Sequence, residues 1–425
     1  MKKVLFTVAA LGLGLTLAAS VASAASFSAK GKYQATGIWV SDGAAGANGL
    51  VVGLDGNVPA EANDAIWHSA YFYPTVNVND NIVVRSELRF IDRDLFGTTK
   101  GAANENMRVF KLWMEYDSPI GLWAVGRQPA GTWGTKFLDS TANGDRISWV
   151  PNMIPAPFSA KFIFQKNVEN DAFTGLSDEA DSASWYAGVG HKGDIGSTTV
   201  ALWHTRVDKD LGDYDNTHFW FTGTYNFGGV GISSEARYIF GDDAAGNDLG
   251  SLAAMVTASM GFDNLTAGVI TFYCQGDDTF DGDNEGAACA GGTGNDYNPF
   301  LVATGDYFGL LNGDKGGYLG ALGVAGVSGN GDQPGAIAAA LFGILQASDK
   351  MSFNAAIGHI WADADFGVDD KIGLEVDLGM TYKLMDNLAY TAQFGFLKPG
   401  DMIEDLLGNS ANDIYVLLHS ITMTF

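Results

Sequence analysis

The segment at residues 81–91, NIVVRSELRFI, carries charged side chains at alternate positions. Arg85, Glu87 and Arg89 share one face, and apolar residues such as Leu88 occupy the other. Because side chains alternate between the two faces of a β-strand, this pattern predicts a strand with one wet face and one apolar face. The same alternation predicts that further charged residues point to the wet face. The predicted basic wall consists of Arg85, Arg89, Lys111, Arg127, Arg146 and Lys161.

Two uses of such a wall are open. Fixed charges that face each other across a narrow aqueous gap orient polar solutes and penalise apolar ones. Alternatively, the cations pair with acids on the same face, such as Glu87 and Glu115, and only hold the wall together. The sequence does not decide between these two interpretations.

Motifs for enzymatic chemistry are absent from the sequence. The six histidines form no HExxH motif and none accompanies a cysteine pair, which disfavours metal chemistry. No GxSxG motif occurs, and the glycine-rich stretches 43–49 and 286–294 lack the Lys-Ser/Thr of a phosphate-binding loop. We therefore predict that the protein is not an enzyme and needs no cofactor.

The acidic stretch 277–286, DDTFDGDNEG, is the one candidate for a metal site. Clustered carboxylates suit calcium, but the stretch lacks the spacing of an EF-hand loop, and a solvated charged loop is the alternative. The candidate ligands are Asp277, Asp281, Asp283 and Glu285. Cys274 and Cys289, the only two cysteines, lie nearby, and a disulfide between them is predicted, with two free thiols as the alternative.

The stretch 371–397 shows which elements position the wall. In 371–384, KIGLEVDLGMTYKL, apolar residues from Ile372 to Leu384 alternate with polar or small ones, and 387–397, NLAYTAQFGFL, repeats the pattern after a short turn. This predicts a β-hairpin. A soluble sheet would cover its apolar face with another layer, but the sequence offers only further hairpins. It therefore predicts a closed transmembrane β-barrel whose outer face contacts lipid.

Short turns and long loops alternate strictly along the chain, as is typical of outer-membrane barrels. The count predicts an all-β antiparallel barrel of 18 strands with short periplasmic turns and long external loops. If 145–167 is one irregular excursion, 16 strands remain, and both even numbers allow closure. The longest connection, 275–334, is predicted to be an external loop.

The N-terminal residues 1–24 are predicted to be a cleaved signal peptide. Two lysines, an apolar centre and a final Ala-Ser-Ala fit that assignment, with a membrane anchor as the alternative. The barrel domain is then 25–425. Removal of the signal peptide takes the net charge from −25 to −27, which disfavours nucleic acid as a partner and favours cations. No apolar run long enough for a transmembrane helix follows.

The last twelve residues, IYVLLHSITMTF, carry a family resemblance. Apolar residues alternate up to the terminal Phe425, which resembles the C-terminal signature that the barrel-assembly machinery reads in Gram-negative outer-membrane barrels. VGRQ at 125–128 and DRISWVP at 145–151 are similar to segments of the general porins, in particular the homotrimeric porins of sulfate-reducing bacteria.

This resemblance implies a bacterial outer-membrane location, contact with lipid and lipopolysaccharide, and a homotrimer. It also implies that the loop at 128–144 folds into the barrel and narrows it, with acidic residues set against the basic wall. The acidic residues expected at this constriction are Glu87, Glu115, Asp139 and Asp145.

The predicted function is a porin for passive diffusion of small hydrophilic solutes and ions, leaning toward cations. One alternative is a substrate-specific channel, and another is a non-conducting surface receptor or structural barrel that uses loop 275–334. Strand-end aromatics such as Trp39, Trp67, Tyr71, Trp361 and Tyr382 are predicted to form interfacial girdles, with an aromatic track in the lumen as the alternative.

Overall fold

The structure is a computed structural model of the 425-residue chain. It describes residues 25–41, 64–96, 107–130, 134–135, 137–138, 143–168, 181–208, 213–243, 246–277, 283–285, 300–304, 335–364, 369–402 and 412–425. The predicted signal peptide lies outside the described residues. No helix among the described residues is both long enough and apolar enough to cross a bilayer.

Long β-strands make up nearly all of the described chain. They are β1 (Ser26–Val40), β2 (Asp64–Asn79), β3 (Ile82–Leu95), β4 (Arg108–Ser118), β5 (Gly121–Pro129), β6 (Asn143–Pro151), β7 (Phe158–Val168), β8 (Ser182–Gly193), β9 (Gly196–Val207), β10 (Tyr214–Phe227), β11 (Val230–Asp242), β12 (Asp248–Phe262), β13 (Leu265–Cys274), β14 (Ala336–Ser348), β15 (Met351–Trp361), β16 (Lys371–Met385), β17 (Leu388–Pro399) and β18 (Ile414–Thr424). A two-residue segment, Asp283–Asn284, also pairs in parallel with the start of β12.

These eighteen strands form a closed antiparallel barrel, which confirms the favoured count. Each strand pairs with its neighbours in sequence, and β1 pairs with β18 to close the ring. The sixteen-strand alternative is wrong, because β6 and β7 are both regular strands that pair with each other and with β5 and β8.

The strands are steeply tilted. Directly paired residues lead from Ile82, at the short-turn end of β3, across nine neighbouring strands to Leu252, near the long-loop end of β12. Such a stagger is what closure of a barrel requires.

The alternation of faces follows the sequence pattern. On β16, Leu378 is 51% exposed on the outer face, whereas its neighbour Asp377 is 5% exposed and faces inward. Ile372 is an exception to the predicted outward run. The register between β15 and β16 shifts at Trp361, so that Ile372 is skipped in the pairing and is fully buried.

The interior holds an apolar core as well as charged groups. Inward-facing residues of β12–β18 pack around two chain segments that enter the barrel, Phe137–Leu138 and the short helix α1 (Leu301–Thr304). The core includes Met255, Ile270, Phe272, Ile360, Leu397, Val416 and Leu418. The prediction that 275–334 is simply an external loop is therefore wrong for its residues 300–304, because these contact the inner face of β16–β18.

Candidate functional site

Three of the six predicted wall cations form ion pairs on the inner face of β3 and β4. Arg85 Nε lies 2.9 Å from Glu115 Oε1, and Lys111 Nζ lies 3.0 Å from Glu87 Oε2. The other Glu87 oxygen accepts a hydrogen bond from Arg89 Nε at 2.8 Å. In this part of the wall, the structure brings cations and acids together in the way that holds neighbouring strands to each other.

Arg89 is the centre of this ion-paired patch. Its Nη1 donates to both carboxylate oxygens of Asp92, at 2.9 and 2.8 Å, and its Cζ lies 3.2 Å from the centre of the Phe110 ring. Asp92 faces inward, although it is three residues from Arg89, because Phe90 between them is skipped in the pairing of β2 with β3. The sequence gives no sign of this bulge, and Asp92 was therefore not among the predicted site residues.

Arg146 and Lys161 lie further along the inner wall, on β6 and β7, and differ from the ion-paired patch. In the described part of the chain, neither of them lies within ion-pair distance of a carboxylate. Arg146 Nε donates to Gln165, and its Cζ lies 5.1 Å from the centre of the Trp203 ring. Lys161 is exposed to the lumen. These two residues therefore leave positive charge on the inner wall.

Arg127 and Asp145 do not belong to the inner wall, and their predicted position is wrong. Arg127 is directly opposite Leu112, an outer-face residue of β4, whereas the inward Trp113 is opposite Gly126. Arg127 and Asp145 pair with each other on the outside of the barrel, with Nε–Oδ1 and Nη2–Oδ2 distances of 3.0 and 2.8 Å. β5 reads GLWAVGRQP, and its apolar residues fall on both faces, so alternation alone does not fix the side.

The loop after β5 crosses the lumen. At its start, Arg146 Nη1 and Nη2 donate to the carbonyl oxygens of Pro129 and Ala130 at 3.1 and 3.0 Å. Further along, Thr135 donates to Glu235 on the inner face of β11. Residues 134–135 and 137–138 of the loop 128–144 thus lie inside the barrel. The role of this loop as the constriction stays a prediction. Asp139 lies outside the described residues.

The end of this crossing is anchored by aromatic contacts. Phe137 is fully buried, and its ring centre lies 5.7 Å from that of Phe272 on β13. Phe272 in turn meets Phe300, which precedes α1, edge to face at 6.0 Å. Phe272 therefore joins the two inserted segments into one core.

The segment Phe300–Val302 binds in a recess of the inner wall. Asp377 Oδ2 accepts the backbone N–H of Leu301 at 3.3 Å, and Glu375 Oε1 accepts that of Val302 at 2.5 Å. Gly358 and Gly395 leave space on either side: a Cβ at Gly358 would lie 2.5 Å from Phe300, and one at Gly395 2.8 Å from Val302. The two carboxylates satisfy backbone donors that burial would otherwise leave unpaired.

Several inward residues were missed or misplaced by sequence reasoning. Trp67 and Tyr71, predicted as interfacial, face inward, and Tyr71 Oη donates to Asp92 at 2.9 Å. Trp203 and Arg237 were not predicted at all. Arg237 is 9% exposed, with its Cζ 5.3 Å from the Trp220 ring centre. A signal existed, since Trp203 shares its face with threonines while Leu202 lies on the other face.

The remaining predicted sites are described only in part. Asp281 and Cys289 lie outside the described residues, as does the side chain of Asp283. Asp277 is buried, and no group of three metal-ligand side chains occurs among the described residues. Cys274 is disulfide-bonded. The calcium site and the pairing with Cys289 stay predictions.

The terminal Phe425 completes the closure of the barrel. Gly31 donates its backbone N–H to Phe425 O at 2.6 Å and accepts that of Phe425 at 3.0 Å. The apolar C-terminal residues alternate outward on β18, with Leu417 46% exposed and Leu418 fully buried. The role of Phe425 as an assembly signal stays a prediction.

Solved structures, but not sequences, resemble this barrel. No protein-family model matches the sequence, and no curated protein matches it. Among solved structures, OccK11 (OpdR) of Pseudomonas aeruginosa is 9% identical, over 94% of this chain and 96% of that one, with a TM-score of 0.55. The chain shares the fold of that barrel.

Two further structures agree. OccAB3 of Acinetobacter baumannii is 9% identical, over 93% of this chain and 99% of that one, with a TM-score of 0.55. OccK2 (OpdF) of Pseudomonas aeruginosa, solved in complex with glucuronate, is 13% identical, over 94% and 98%, with a TM-score of 0.54. At these identities the likeness extends to the fold only.

Proposed function

We propose that this protein is an outer-membrane channel through which small hydrophilic solutes and ions diffuse passively. The observation that carries the proposal is the eighteen-strand ring, apolar outside and lined with charged groups inside. A barrel of this size with a polar inner wall encloses an aqueous lumen. The shared fold includes OpdK, an outer membrane protein of Pseudomonas aeruginosa, which supports the same location.

The permeation path that we propose runs along the inner wall from β3 to β9. The opposite side, β12–β18, is filled by the apolar core and the two inserted segments. Arg85 and Lys161 are exposed on the charged side, where water and solutes reach them. The inserted segments therefore narrow the lumen to an off-centre passage with charged groups on one flank.

For ions, we propose that the channel is weakly selective for cations. The net charge of −25 attracts cations to the mouths of the pore, whereas Arg146 and Lys161 oppose this inside. The test is the reversal potential in planar bilayers under a potassium chloride gradient. A reversal potential of the sign expected for anion selectivity would contradict this part of the proposal.

Single-channel recording of the refolded full-length chain tests the channel itself. We expect discrete conductance steps that a heat-unfolded sample does not produce. A folded barrel, identified by its heat-modifiable migration in gels, that inserts without conducting would overturn the proposal and favour the alternative of a non-conducting receptor or structural barrel.

A substrate-specific channel is the second candidate, and the narrowed lumen favours it. Arg146 beside Trp203 offers a cation next to an aromatic face, which suits a sugar that carries a carboxylate. A barrel of the same fold, OccK2, was solved with glucuronate. Micromolar glucuronate that blocks conductance, while glucose does not, would support this candidate. Equal effects of both sugars would favour general diffusion.

The partners implied by the resemblance also remain proposals. They are outer-membrane lipid and lipopolysaccharide around the barrel, the barrel-assembly machinery acting on the C-terminal strand, and further copies of the chain in a homotrimer. No enzymatic step is part of the proposed function.

A further inference from the structure

The outer face of β5 and β6 is too short to cross a lipid layer. β5 begins at Gly121, and Arg127 points outward only six residues later. Six residues span roughly 20 Å along a strand, or roughly 15 Å along the axis at a tilt near 40°. The apolar band of a transmembrane barrel is about 25 Å tall. Arg127 and Asp145 therefore lie at the depth of the hydrocarbon.

The outer face of β16, on another side of the barrel, has the expected height. From Leu374 to Leu384 its outward residues are apolar, which spans roughly 33 Å along the strand, or roughly 25 Å along the axis at a tilt near 40°. On β5, by contrast, only Trp123 and Val125 lie outward between Gly121 and Arg127, and on β6 only Ile147 and Trp149 lie outward between Asp145 and Pro151. An outward arginine near the bilayer centre costs roughly 2–4 kcal/mol against lipid.

The same region carries an aromatic groove on its outer surface. The cavity has a volume of about 520 Å³. Trp123 and Trp149 stack at 5.4 Å on one side of it, and Phe164 meets Trp185 at 6.0 Å on the other. Leu112 and Met114 of the neighbouring strand β4 are also exposed, so that the apolar outer surface extends from the groove onto β4. A large exposed apolar surface of this kind marks a contact with protein or membrane.

We infer that the outer face of β4–β8 is covered by a second copy of this chain. Arg127 and Asp145 pair with each other within one chain but stay about half exposed, so that this face carries an ion pair that the polar groups of a second copy accommodate and lipid tails do not. The inference rests on the part of the proposed function that sets the barrel in a bilayer, and not on conduction. It places the contact of the expected homo-oligomer, which the sequence does not locate.

Photo-crosslinking from single outward positions tests this surface. A photoreactive amino acid replaces Val125 or Ile147, and matched controls carry it at Leu378 or Leu341, which are at least as exposed. The proteins are irradiated in outer-membrane vesicles. We expect crosslinked multiples of the chain from positions 125 and 147, and only lipid adducts from 378 and 341. Lipid adducts alone from 125 and 147, or adducts to a different protein, would overturn the inference.

A second measurement does not depend on the reactive group. The double variant Arg127→Gln/Asp145→Asn removes both charges and leaves the lumen unchanged. We expect its oligomer to dissociate at a lower temperature in mild detergent than the unaltered protein, with the same conductance per pore. An unchanged dissociation temperature, together with self-crosslinks from 378 as strong as those from 125, would place the contact elsewhere. Conductance is measured on the same samples, so that loss of the channel and loss of the interface are separate results.

Discussion

Thr135 donates both its backbone N–H and its hydroxyl to one oxygen of Glu235, at 2.8 and 2.7 Å. The two residues are one hundred positions apart in sequence, and this contact ties the crossing loop to the far wall of the barrel. Gly134 makes the approach possible, since a Cβ there would lie 2.8 Å from Glu235 Oε2 and its φ of +59° favours glycine. This carboxylate therefore anchors the middle of the loop, between the contacts of Arg146 at its start and those of Phe137 further along.

Replacing that carboxylate should release the loop. For Glu235→Ala we expect a larger and noisier single-channel conductance, because the loss of a hydrogen bond to a charged group costs about 1.5–3 kcal/mol. The control is Glu115→Ala, which removes an inward acid that pairs with Arg85. Identical conductance in Glu235→Ala and the unaltered protein would show that this anchor does not set the width of the pore.

The recess that binds the segment Phe300–Val302 gives a separate prediction. In Gly395→Val the new side chain meets Val302, and overpacking of this kind costs about 1–3 kcal/mol. We expect Val302 to be displaced and the conductance to rise. Gly231→Val is the control, since a Cβ at position 231 would lie 3.6 Å from its nearest neighbour, the Ser259 hydroxyl. A rise in both variants would point to general loosening of the barrel.

Ion selectivity should respond to unpaired wall charges and not to paired ones. We expect Arg146→Gln/Lys161→Gln to shift the reversal potential toward cations, because it removes two positive charges that lack a carboxylate partner in the described structure. The matched variant Arg85→Gln/Glu115→Gln removes an ion pair and keeps the net charge. Equal shifts in the two variants would contradict the distinction between the two parts of the wall.

Closure of the ring should depend on Gly31. Its backbone pairs with Phe425, whose ring lies where a side chain at position 31 would be. We expect Gly31→Val to displace that ring and to destabilise the folded barrel by about 1–3 kcal/mol, seen as unfolding at lower urea. Gly261→Val is the control, since nothing lies within 4 Å of its Cβ position. Equal urea midpoints would separate the terminal ring from closure.

The sequence predicted inner-wall residues well where one face of a strand is clearly apolar. Arg85, Glu87 and Arg89 alternate with Ile82, Val84, Leu88 and Phe90, and all three charged residues face the lumen. The face of Arg127 was predicted wrongly, because apolar residues lie on both faces of β5 and only the pairing with Leu112 decides the side. The face of Ile372 was also predicted wrongly, because a bulge reverses the local alternation.

The sequence alone determined the closed antiparallel barrel, the order of its strands and most of their faces, and it favoured eighteen strands over sixteen. This is because a period of two and short polar turns are local properties, and a strand without a covering layer has to close into a barrel in lipid. Only the tertiary structure decided which cations are paired, that Phe137 and Phe300 meet Phe272, and that Arg127 lies outside. Those contacts join residues far apart in the chain, and their geometry depends on strand register, bulges and loop paths that no local pattern encodes.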